Sequence, residues 1–296
     1  MTASDIAIVT DSTCDLPADV AAEHAIHVVP LVVQLGSQSF RDGIDLSPAE
    51  FYRRLEQGQH GTTSQPSVGA FAELYRNLLS DHAAIVSIHI SAKLSGTVAS
   101  AASAAAEVDA KRIHVVDSKG ASAWLALHAL AASHLANSGC QTSEVLATLE
   151  ELGARTVGYF TVHTLEYLHR GGRIGAAQAF MGSILQIRPV LALIDGEIQP
   201  VERLRAFERA VARIVHYIEE LAAISAQGLC IGIAHASNPQ LAQGVAQGLD
   251  HVAESLFVVE LGPVVGTHGG PGLIGVCAYP AELAPLGFKP RSAGAH

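Results

Sequence analysis

The chain has 296 residues and a formal net charge of -10, with 49% hydrophobic and only 16% charged residues. The acidic balance excludes a protein that grips nucleic-acid phosphates with a basic face. The apolar content, with a mean hydropathy of +0.30, excludes a disordered chain and leaves enough for a sizeable core. The four cysteines, Cys14, Cys140, Cys230 and Cys277, lie far apart with no CxxC pair, which suits a reduced compartment and gives no metal-site spacing. No basic region followed by a long apolar one opens the chain, and no run of about 18 uncharged apolar residues occurs. A cytoplasmic protein without a membrane span is expected.

In chain order, residues 6–10 (IAIVT) read as a buried strand, followed by helix-like LPADVAAEHA and a second strand over 28–33. Ser47-Pro-Ala-Glu50 is a capping box with proline at the first helical position, opening a helix through Phe51, Tyr52 and Leu55. Ser67 is a good N-cap for the next helix, and Pro66 favours an extended approach to it. Strands over 84–90 and 112–116 flank an Ala/Ser-rich helix over 95–107, and two long helices follow over 119–137 and 141–153. This alternation predicts a parallel sheet with helices on both faces. After about residue 155 the pattern changes. Strands over 157–162 and 190–193 lead to the turn signal Asp195-Gly196 and a strand over 198–203, which together read as a hairpin. A helix over 206–225, a strand over 229–235, a helix over 238–250 and strands near 256–261 and 273–279 complete a second α/β unit with a mixed sheet. The expected division is 1–155, 156–285 and a loose tail, 286–296.

Several motifs carry chemistry on either of two readings. Thr62, Thr63 and Ser64 add hydroxyls beyond the one needed to cap a helix, and a helix start with spare hydroxyls and N–H groups can hold an anion. Ser91-Ala-Lys-Leu-Ser95-Gly96-Thr97 follows the strand IVSIHI and opens another helix; two unrelated caps are the plain alternative. Thr10-Asp11-Ser12-Thr13-Cys14-Asp15 stands at the carboxyl end of the first strand. That is where open α/β sheets bind ligands, but its residues equally favour turns and caps. His268, in the glycine-dense turn Gly266–Gly272, can donate to a bound anion or simply face solvent. Arg170-Gly-Gly-Arg173 suits phosphate or carboxylate recognition and also a helix C-terminus, and Arg203 and Arg205 extend a locally basic region. Gly270-Pro-Gly272-Leu-Ile-Gly275 spells a dinucleotide motif without the preceding strand, long helix and acidic residue that motif requires. No phosphate-binding P-loop, HExxH or GxSxG is present.

Taken together in order and spacing, TDSTCDLP, VVPLVV with FRDGIDLSPAEFY, TTSQPS, SAKLSGT, VVDSKGAS, TLEYLHRGGRIG and GPVVGTHGGPGLIGV make a chain that resembles the DegV family over residues 5–280. The resemblance implies two α/β domains and a long-chain fatty acid held in a buried apolar tunnel. It also implies that the carboxylate is presented to a separate ATP-binding fatty acid kinase subunit, which makes acyl phosphate for phospholipid metabolism. On this reading the chain is an accessory lipid-binding subunit with no catalytic residue, cofactor or metal of its own. By motif position the carboxylate contacts fall on Thr63 and Ser95, with Thr62 and Gly96 beside them and His268 near the head group. Contacts to the partner or to phosphate fall on Arg170, Arg173 and Arg205. The chain departs from the family pattern at His163, His169 and Gly269, of which Gly269 is expected to loosen the head-group loop. Two other classes stay open: a phosphotransferase or hydrolase acting alone through the His268 loop and Asp11, and an interaction protein with a vestigial cleft.

Overall fold

The computed structural model describes residues 5–183 and 187–286. Strand β1 (Ile6–Asp11) ends in a single 3-10 turn, and the short helix α1 (Ala18–Glu23) leads to β2 (Ile26–Val29). The single strand expected over 28–33 is two. Pro30 supplies no N–H, Leu31 N donates instead to Ser12 Oγ (3.0 Å), and the chain leaves the first sheet there. Strand β3 (Val32–Leu35) then pairs with β4 (Gln38–Arg41) and β5 (Gly61–Ser64) in a separate three-stranded antiparallel sheet. Helix α2 (Pro48–Glu56) starts at its Ser47 cap, and α3 (Val68–Leu78) at Ser67, whose Oγ accepts from Ala70 N (3.2 Å). The remaining elements of the first half are β6 (Ala84–His89), α4 (Thr97–Val108), β7 (Ile113–Asp117), α5 (Ala123–Asn137) and α6 (Thr142–Arg155). Helix α5 begins four residues later than expected, since Lys119 and Ser122 hold left-handed backbone (φ 58° and 56°).

The second half runs β8 (Val157–Thr161), α7 (Glu166–Arg170), a 3-10 stretch over 175–183, β9 (Arg188–Ile194), β10 (Glu197–Leu204) and α8 (Phe207–Ala222). It finishes with β11 (Leu229–His235), α9 (Pro239–Leu249), β12 (Ala253–Glu260), α10 (Pro263–Gly269) and β13 (Ile274–Pro280). The β9–β10 hairpin turns on Asp195 and Gly196 with φ 50° and 80°, the left-handed pair a type I′ turn needs. His268, expected in a turn, is on the last turn of α10.

Strands β2-β1-β6-β7 form a parallel sheet, and β10-β9-β8-β13-β11-β12 a mixed one whose only parallel pair is β11–β12. Helices α3 and α4 cover the outer face of the parallel sheet, around Phe71, Tyr75 and Ile85. Helices α8 and α9 cover the outer face of the mixed sheet, around Ile214, Ile233 and Val245. Between the sheets lies α5, in contact with β1 and β6 on one side and β11 and β13 on the other, with α6 beside it. Its sequence AWLALHALAAS is apolar all round, the pattern of a helix enclosed on every face, and Ala123 to Ser133 are all buried.

Candidate functional site

A cavity opens where α5 ends its cover of the mixed sheet, with about 1040 Å³ of space between atoms including its mouth. Its walls come from both halves of the chain: Leu31, Ile90 and Trp124 from the first, Phe160, Leu193, Ile198 and Val264 from the second. They are predominantly apolar, and polar side chains gather at the exposed end.

A strand, a loop and a helix bring those polar groups together. Strand β5 pairs in register with β3, so successive residues face opposite sides: Thr63 lines the cavity, while Thr62, opposite Gln34, is exposed and outside the lining. The run TTS is thus an edge strand rather than part of a helix start. Ser95 lines the cavity from the loop before α4, with its Oγ 2.9 Å from Thr97 Oγ1. Gly96 is the N-cap of α4 and stands outside the lining. A Cβ on Gly96 would approach Gln65 Nε2 to 2.9 Å, so the Gln65 amide packs over its backbone at the rim.

His268 lines the cavity from α10, and its Nε2 is 2.8 Å from Thr63 Oγ1. Burial, aided by the nearby Arg173 charge, pushes its pKa down to about 4, so the imidazole is neutral at pH 7. Its Nδ1 is buried without a hydrogen-bond partner. The glycines of the RGGR segment explain how the ring fits. A Cβ on Gly171 would come within 2.1 Å of His268 Nδ1, and Gly172 has φ +70°. Arg173 is the arginine that reaches the cavity, donating from Nε to Leu94 O (3.0 Å) and from Nη1 to Gly171 O (2.7 Å). Arg170 points outward to Glu166, and Arg205 is exposed beyond β10; neither lines the cavity.

Helix α10 belongs to the second half but is held at its start by the first. Asp15 accepts from Gly262 N (2.9 Å), Asp42 from Val264 N (3.3 Å), and Tyr52 donates to Leu261 O (3.0 Å). Burial, with the neighbouring Asp42 charge, pushes Asp15 well above the usual carboxylate range, and burial pushes Asp42 up to about 6. The TDSTCD segment therefore works through turns and caps. Asp11 is fully buried, bonded to His89 Nδ1 (3.0 Å), Ile90 N (3.0 Å) and Thr13, and is not among the cavity-lining residues. At Gly269, Leu273 Cδ1 packs where a side chain would stand (2.7 Å). His163 stacks on Phe207 (4.1 Å between centroids) beside a separate groove between α8 and α9, and His169 is exposed on α7. Among the described residues no cluster has the composition of a metal site, and no helix is long and apolar enough to cross a membrane.

Two stacked α/β units enclosing an apolar cavity, with a polar rim drawn from both, define the class of protein. The chain belongs to the DegV family: the family model described as "Uncharacterised protein, DegV family" matches residues 5–281. A DegV domain-containing protein of Streptomyces coelicolor is 43% identical over 277 residues, covering 92% of this chain and 97% of that one. Among solved structures, a fatty-acid-binding DegV family protein from Thermus thermophilus superposes with a TM-score of 0.87 at 38% identity, covering 93% of this chain and 99% of the other. DegV of Bacillus subtilis, described as a fatty acid binding protein, gives 0.84 at 33% identity, with 94% and 99% covered.

Proposed function

We propose that the cavity holds a long-chain fatty acid, tail inward, and that the protein presents the carboxylate at its rim to a separate ATP-dependent kinase subunit for acyl phosphate formation. The observation that carries this reading is the convergence of Thr63, Ser95 and His268 at one end of an otherwise apolar cavity. The fatty-acid-binding relatives support the ligand class.

The physical division of labour follows from the walls. Burying each methylene contributes up to about 0.8 kcal/mol, so roughly 14 of them supply on the order of 11 kcal/mol before ordering costs. A desolvated carboxylate costs several kcal/mol unless hydrogen bonds replace its water. In the tautomer of the neutral imidazole that carries its proton on Nε2, His268 donates to Thr63 Oγ1, and the Thr63 hydroxyl proton is left for the ligand. Ser95 donates from the facing loop, and Arg173 supplies the positive charge that neutral His268 does not. The outward Arg170, held by Glu166, and Arg205 then face the kinase subunit. In this role the chain positions a substrate and performs no chemistry alone.

Organic extraction of the purified protein followed by mass spectrometry should release a stoichiometric fatty acid. Acyl phosphate should appear only when an ATP-binding partner is added. An empty cavity, or product formed from this chain and ATP alone, overturns the respective half of the proposal.

A further inference from the structure

The far end of the cavity has its own construction. On the mixed sheet, paired residues of β11, β13 and β8 face α5 in rows. One row is Ala234, Gly275 and Phe160, and the next is Gly232, Cys277 and Gly158. Alanine, glycines and cysteine in these rows leave a trough in a surface that large side chains would otherwise fill. Over the first row the trough is open and lines the cavity. Over the second row α5 closes it: Ala123 covers Gly232, where a Cβ would come within 3.0 Å, and the Trp124 ring covers Gly158, where a Cβ would come within 2.8 Å.

The direction is fixed by α10. Gly269, one residue beyond His268, packs on Leu273, and β13 leads away from there to Cys277, about 13 Å on at a strand's rise of about 3.3 Å per residue. Along β13 the closed row thus lies beyond the open one as seen from Leu273, beside which α10 carries His268. Trp124 is also a rigid stop. Its Nε1 donates to Ser118 O (2.7 Å), and the adjoining Cδ1–Cγ edge lies over Gly120, where a Cβ would come within 2.1 Å. With its polar atom so occupied, the ring offers the cavity only carbon.

Resting on the fatty-acid reading above, we infer that Trp124 over Gly158 is a terminal subsite: the methyl end of the acyl chain abuts the indole, and this pair sets the chain length the protein accepts. Affinity then rises about fourfold with each added methylene until the chain meets the ring, and falls beyond that length.

Trp124 is the only tryptophan in the sequence, which gives a test in the unaltered protein. Saturated fatty acids carrying bromine at the terminal carbon should quench its emission several-fold more than isomers brominated at carbon 2. Equal quenching, or stronger quenching from carbon 2, overturns the inference. A second measurement uses competition among an equimolar series of chain lengths, with the retained acid read by mass spectrometry. Trp124→Leu should move the preferred length up by two or more carbons, and Gly158→Ala, which adds a methyl group to the cavity wall against the ring, should move it down. An unchanged preference in variants that melt cooperatively also overturns it. Failure of the unaltered protein to retain any acid in the series would instead remove the fatty-acid reading, and the terminal subsite with it.

Discussion

His89 and His268 differ in how far the protein itself satisfies their ring nitrogens. His89, inside the parallel sheet, spends both ring nitrogens within the protein: Nδ1 on Asp11 (3.0 Å) and Nε2 on Ser87 (2.7 Å), which continues to Tyr75 (2.8 Å). His268, at the cavity rim, spends Nε2 on Thr63 and leaves Nδ1 without a partner. The first network is closed and its residues are all buried, so it holds the loop after β6 in place. The second shares its hydroxyl with a cavity. A saturated polar network fixes a fold, whereas one that keeps hydrogen-bonding capacity at a cavity wall suits the ligand-binding role proposed above.

The largest test of that contrast is Asp11→Ala. It leaves His89 and Ile90 N–H without their acceptor and should cost about 3–5 kcal/mol in denaturant unfolding, by the usual penalty for breaking a buried pair. If this variant unfolds like the parent, the closed network is not structural. The Thr63→Ala, Ser95→Ala double variant should do the reverse. Its fatty-acid affinity should fall roughly a hundredfold, about 3 kcal/mol from two charge-assisted hydrogen bonds, while it remains folded. Retained affinity would remove the distinction from the other side.

Asp42 is the next lever, through its hold on α10. It faces Ser12 Oγ and Val264 N, with Asp11 and Asp15 the neighbouring charges. Burial raises its pKa from the ordinary 3.8 to about 6, so its ionisation costs stability as pH rises through that window. The protein should therefore lose about 2–3 kcal/mol from this group between pH 4 and pH 7, and Asp42→Asn should flatten that part of the pH profile. A slope unaltered by the substitution would place the pH dependence elsewhere. The smallest expected effect is at Ser67. Its replacement by alanine should cost about 1 kcal/mol of stability with unchanged ligand affinity, separating the helix cap from the Thr63 contact four residues before it.

The sequence made some of this legible and hid the rest for physical reasons. Ser47 and Ser67 announced their helices because a cap is a local bond, and Asp195-Gly196 announced a hairpin because its backbone demand is local too. The three-stranded sheet was hidden: its strands have four residues each, and the split at Pro30 interrupts a run that reads as one strand. The meeting of Thr63 with His268 spans 205 positions and was legible only through the order of motifs, not through either motif alone. Arg170 and Arg173 look equivalent in RGGR, yet only Arg173 faces the cavity, a choice made by the turn of α7. Trp124 gave no signal because a cavity-lining side chain and a core side chain obey the same hydrophobic pattern.

The enclosed helix α5 also constrains how the protein is made. It leaves the ribosome with an apolar surface on every side, and β1 and β6, already synthesised, can shelter only one of them. The strands that shelter the other, β11 and β13, begin at Leu229 and Ile274 and emerge much later. During translation the nascent chain carries that bare face until its last strands arrive, the kind of transient apolar exposure that chaperones cover.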